Sequence, residues 1–152
     1  MNRSFFHYIS YLQYPFMIIA LYFIVQLYLK GISTLDNETK ISSLNYTLIF
    51  MGLGVSFSSL QDPKKTQNEF SKKIWQSPKK GSIMIILMCL LAVFFILLGL
   101  WGLFATDHRL HELSMGLVVF GIGLIGMIKV ALEMFENHRL DKNGDRILPR
   151  KN

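Results

Sequence analysis

Four long apolar runs, 8–29, 44–60, 82–104 and 113–135, constrain this chain more than anything else in it. An α-helix needs roughly 20 mainly apolar residues to cross about 30 Å of hydrocarbon, and the first, third and fourth runs reach that length. The second is shorter and is diluted by Gly52, Gly54, Ser56, Ser58 and Ser59, so a re-entrant or interfacial segment is its alternative. The first three runs hold no charged residue, whereas the fourth carries Lys129 and Glu133 one helical turn apart near its end. With 51% hydrophobic and 17% charged residues, little is left over for a soluble domain. The expectation is an all-α integral membrane protein. Residues 1–152 form one domain of four transmembrane helices in two consecutive hairpins, followed by a short polar basic tail over 136–152.

The first run is too long for the 7–15-residue apolar core of a typical signal peptide, and no small-x-small site closes it. It ends in Gln26, Leu27, Tyr28, Leu29 and Lys30 and reads as a retained helix. Pro15, in its first third, predicts a kink or an end cap, which membrane helices tolerate when neighbours satisfy the freed carbonyl. The lone cysteine, Cys89, lies inside the third run. It has no intramolecular disulfide partner and belongs to no thiolate metal site.

Charge orients the runs. Arg3, Lys64, Lys65, Lys72, Lys73, Lys79, Lys80, Arg139, Lys142, Arg146, Arg150 and Lys151 fall in the N-terminal tail, the second loop and the C-terminal tail. Only Lys30, Lys40 and Arg109 fall in the first and third loops. The positive-inside rule then predicts both termini and the second loop in the cytoplasm, with a bacterial inner (cytoplasmic) membrane as the expected location. Tyr8, Tyr11, Tyr14, Tyr28, Tyr46 and Trp101 sit near the ends of the runs, as amphipathic rings do at headgroup level.

Sliding the sequence by 69 residues pairs Leu44 with Leu113, Leu48 with Leu117, Gly52 with Gly121 and Gly54 with Gly123. Coincidence and a duplicated hairpin both account for these matches. A duplication of this kind gives a parallel rather than an inverted repeat. Small residues also let membrane helices approach closely. Gly52 and Ser56 in the second run, and Gly116, Gly121, Gly123 and Gly126 in the fourth, are the candidate packing positions. They predict a tight seam between helices two and four, with helices one and three more exposed to lipid.

Lys129 and Glu133 are the sharpest candidates for function. Their spacing puts them on one helical face, where they can pair. Intramembrane ionisable groups mark proton relays, ion paths or partner contacts. The plainer alternative is a lysine that snorkels to the headgroups beside a solvated helical extension. The second loop carries Lys64, Lys65, Lys72, Lys73, Lys79 and Lys80 around Phe70, Ile74 and Trp75. Phe70 and Ile74 share a face, which suits a short amphipathic piece on anionic lipid; ordinary topology-setting charge is the alternative. Nucleic acid is not an expected partner, because these lysines lack the fold context that recognition needs.

His108 and His111 share a short outer loop with Asp107 and Glu112, read as loop polarity rather than a metal site. Asp141, Asn143 and Asp145 echo the start of a calcium loop, but Arg146 stands where Gly is needed and Asn152 where Glu is needed. No catalytic constellation, cofactor or metal is expected from these residues. The leading functional expectation is a non-enzymatic accessory or assembly subunit of a larger membrane complex, its partners being the lipid bilayer and other membrane subunits or further copies of itself. A small oligomeric channel or transporter with the Lys129/Glu133 pair in its path is the alternative. A lipid-acting enzyme using Glu133, Glu136 and His138 comes third.

Overall fold

The computed structural model describes residues 3–29, 36–61 and 69–139, apart from the side chains of 3–5, 7 and 69–72. They form six helices: α1 (Arg3–Ser10), α2 (Gln13–Leu29), α3 (Asn37–Ser58), α4 (Glu69–Gln76), α5 (Pro78–Leu103) and α6 (His108–His138). Strands are absent among the described residues. Four stretches, Tyr8–Leu29, Asn37–Ser58, Pro78–Leu103 and His108–His138, are long and apolar enough to cross a membrane.

The first of these is interrupted. Pro15 has no N–H to give the Tyr11 carbonyl, and its ring crowds that oxygen. The chain turns at Tyr11 and Leu12 between α1 and α2, where Tyr11 N–H donates to Tyr8 O and Tyr14 N–H to Tyr11 O, at 3.2 and 3.1 Å. The second of these bonds recovers the Tyr11 carbonyl that the proline leaves open.

The other three helices outrun their apolar runs at the N-terminal side because caps, not hydropathy, set where a helix begins. Asp36 accepts from Thr39 N–H at 3.0 Å, so α3 starts at Asn37, about two turns ahead of Leu44. The hydroxyl and then the backbone N–H of Thr39 hold the Asp36 carboxyl below its ordinary value. Asp107 accepts from Arg109 N–H at 2.9 Å, which draws His108, His111 and Glu112 into the first turns of α6 rather than a loop. Pro78 occupies the first turn of α5 behind Ser77, where its missing N–H costs nothing.

α2 packs on α3, α3 on α6 and α6 on α5, giving the order α2–α3–α6–α5 across the layer. Antiparallel pairing is visible between α2 and α3, where Phe16 stacks on Phe57 and Phe23 on Tyr46, at 5.4 and 5.2 Å between ring centroids. α5 and α6 are antiparallel too: Gly102 lies against Leu110, Gly121 against Ile96 and Gly81 against Phe135. α3 and α6 run parallel, since Gly116 meets Asn45, Gly123 meets Gly52 and Gly126 meets Ser59. α4 docks under the ends of α5 and α6, where Trp75, Met88, Ala131 and Phe135 form a buried cluster flanked by Ile85, Ile128 and Met134.

Candidate functional site

α6 is the element on which the candidate residues converge. Its 31 residues span about 46 Å at 1.5 Å each, well beyond the thickness of a bilayer's apolar core. It carries three faces: one toward α3, one toward α5, and an outer ridge.

On the α3 side the two backbones touch. Gly116, Gly123 and Gly126 lie against Asn45, Gly52 and Ser59 in turn. Ser56 turns its hydroxyl inward along its own helix, donating to Gly52 O at 2.9 Å. Ser59 does the same to Ser56 O at 2.6 Å. Gly121 stands apart from this row, since Ile96 and Ala92 of α5 are its neighbours.

Asn45 adds the polar link that counting small residues does not reveal. Its Oδ1 accepts from Gly116 N–H across the α3–α6 seam at 2.8 Å. The sequence signal was available, because Asn45, Gly52 and Ser59 recur every seventh residue and so share one face. Near the same end, Glu112 Oε2 is buried without a hydrogen-bond partner and lies 3.9 Å from His108 Nδ1.

The outer ridge holds Lys129 and Glu133, both exposed. No ion pair joins them among the described residues. Their level follows from the α5–α6 register. With Gly121 opposite Ile96 and Gly81 opposite Phe135, Lys129 stands level with Leu87 and Met88, and Glu133 with Ile83 and Met84. At Lys129's height α5 exposes Leu87, at 57%. The ammonium therefore emerges beside an apolar surface, about 6 Å along the axis from Glu133.

Below this level α6 ends in a polar turn. Arg139 covers the Phe135 ring at 5.0 Å and reaches Glu136 Oε1 at 3.3 Å. His138 Nδ1 lies 2.9 Å from the Met134 carbonyl oxygen. Of the basic loop, Lys73, Lys79 and Lys80 are described, and all three are exposed. Lys64 and Lys65, the side chains of Phe70 and Lys72, and the tail with Asp141, Asn143 and Asp145 lie outside the described residues. Trp75, only 7% exposed, anchors this region. Phe135 beside it sits where Gly81 leaves no side chain.

Among the described residues no three His, Cys, Asp or Glu side chains gather into a metal-binding group. No protein-family model, curated protein or solved structure matches this chain.

Proposed function

We propose that this chain is a non-enzymatic subunit that packs within, or helps to assemble, a larger complex in the bacterial cytoplasmic membrane, with both termini in the cytoplasm. The observation that carries the reading is the outer ridge of α6. A lysine at the level of Leu87 is exposed rather than packed among its own helices, and hydrocarbon does not solvate an ammonium. A neighbouring protein that offers an acidic or carbonyl oxygen does.

The shape of the layer supports the same reading. α2 touches α3 along one side and buries only Ala20 among its described residues. α5 exposes Ile83, Leu90, Phe94 and Leu97 at 57–66%. Both edge helices thus offer long apolar faces to partner helices. The order α2–α3–α6–α5, with the inner pair parallel, also suits two copies of one hairpin related by an axis along the membrane normal. The excess of Lys and Arg at the α4 end and in the C-terminal tail supports a cytoplasmic assignment for that side.

Native-detergent purification with mass analysis tests the proposal. The expected result is a particle heavier than the 17.5 kDa chain, containing other polypeptides in fixed ratio. A chain that copurifies with nothing from its native membrane overturns it. The exposed position of Lys129 and Glu133 also favours a second reading, a ring of copies whose α6 ridges line a path. Ion flux in liposomes that is unchanged by Lys129→Ala and Glu133→Ala, or absent in the parent, argues against that ring.

A further inference from the structure

We infer that the outer ridge of α6 is a self-association surface. Two copies of this chain meet there side by side and exchange two ion pairs, Lys129 of each copy with Glu133 of the other. The inference rests on the reading that this ridge meets protein rather than lipid, and it requires no other polypeptide.

Met115, Ile122, Ile125, Lys129 and Glu133 fall within an arc of about 80° at 100° per residue, and all five are exposed. The arc lies between the two contact faces of α6: Gly126, about 20° beyond its Glu133 edge, meets Ser59 of α3, and Val118, within it, meets Gly99 of α5. Its five exposed side chains are what the ridge offers to another helix. Its composition is apolar for three positions and then holds one charge of each sign.

That order makes the patch complementary to itself. Copies inserted in one membrane share an orientation, so a two-fold axis along the membrane normal sets the two α6 ridges parallel and level. An isologous contact of this kind needs one patch that satisfies its own twin. Lys129 of one copy then finds Glu133 of the other one turn nearer the end that carries α4. A lysine within an apolar band extends toward the nearer headgroup region, which here is the same direction. Met115, Ile122 and Ile125 pack against their counterparts above the charges.

Two charge reversals test the interface. Lys129→Glu makes the ridge wholly acidic and Glu133→Lys makes it wholly basic. Each full-length variant, purified alone in a mild detergent, is expected to associate at least tenfold more weakly than the parent by native mass spectrometry. Mixed together and distinguished by tag mass, the two are expected to recover the parent's association as mixed dimers. That recovery also shows that both variants are folded. A monomeric parent, a single variant that associates as the parent does, or a mixture that stays monomeric overturns the inference. A parent that is monomeric alone yet copurifies with other polypeptides refutes this interface and leaves the assembly reading standing. A parent that forms only dimers of itself, sensitive to both reversals, does the reverse.

Discussion

Gly52→Ala is the most direct probe of the α3–α6 seam, and Gly54→Ala on the same helix is its control. A methyl on Gly52 lands 2.7 Å from Phe120 Cα, Phe120 N and Val119 C. All three are backbone atoms, so no rotamer change relieves the clash. Restoring ordinary contact near 3.4 Å moves the two helices apart by about 0.7 Å. A gap of that size forfeits about a quarter to a half of each dispersion contact across the seam. Lipid supplies no hydrophobic force to draw the helices back together, since packing itself holds them. Overpacked sites of this sort cost about 1–3 kcal/mol, partly offset by the gain of about 0.5–1 kcal/mol from replacing a helical glycine. The expected net loss is about 1–2 kcal/mol. At Gly54 the same methyl meets Met17 Sδ at 2.9 Å and Met17 Cγ at 3.0 Å. A flexible thioether can swing aside, and the expected change is within about 0.5 kcal/mol of zero. Titration with rising SDS mole fraction, followed by the fluorescence of buried Trp75, compares the two. Equal midpoints for Gly52→Ala and Gly54→Ala refute the backbone-contact argument.

Three further outcomes are expected. Asn45→Ala removes the acceptor for Gly116 N–H and costs about 0.6 kcal/mol, read in the same titration, with faster exchange of the Gly116 amide. Trp75→Ala empties the cluster under α5 and α6 at about 3 kcal/mol; exchange across 69–76 is expected to rise at least tenfold while the middle of α5 stays protected. The cap of α3 depends on pH. Because Thr39 holds the folded Asp36 pKa below its unfolded value, the cap's contribution is fully present above the ordinary carboxylate range, near pH 4. It is lost as pH falls through the lower folded value. Thr39 amide protection measured between pH 5 and pH 2 should decline in the parent and stay low throughout in Asp36→Ala.

The four long helices are legible in hydropathy alone, since lipid tolerates little else over 20 residues. Their ends are not, and the reason is physical. Asp36 and Asp107 are polar and fall outside any apolar run, yet they satisfy the first N–H groups and so lengthen α3 and α6. The glycines announce close approach without naming what approaches. Gly121 and Gly123 are two residues apart, about 200° around the helix, and serve different neighbours, α5 and α3. Asn45 does not stand out within its apolar run until its side-chain carbonyl is seen against the Gly116 N–H. Phe70 and Ile74 point to an amphipathic α4; among its described side chains the buried one is Trp75. Its docking depends on Met88, Ala131 and Phe135, which come from distant parts of the chain.

The unequal burial of the helices argues that α6 organises the layer. α6 buries Ser114, Gly116, Leu117, Gly121, Gly123, Leu124, Ala131 and Phe135, whereas α2 buries Ala20 alone among its described residues. Five of those eight are placed on two seams, Gly116 and Gly123 on α3 and Ser114, Gly121 and Phe135 on α5. The α3 seam is backbone against backbone at Gly52 and Gly123, with one hydrogen bond from Asn45. The α5 seam also seats side chains at glycines, Phe135 at Gly81 and Ile96 at Gly121, while Gly99 and Gly102 lie against the α6 backbone at Ser114, Val118 and Leu110. A helix fastened on two sides in this way has one ridge left, and its orientation is fixed by the other two. Lys129 and Glu133 cannot turn inward without breaking a seam. Their exposure is therefore a property of the fold rather than of a mobile side chain, which is why an external partner for them is the reading to test.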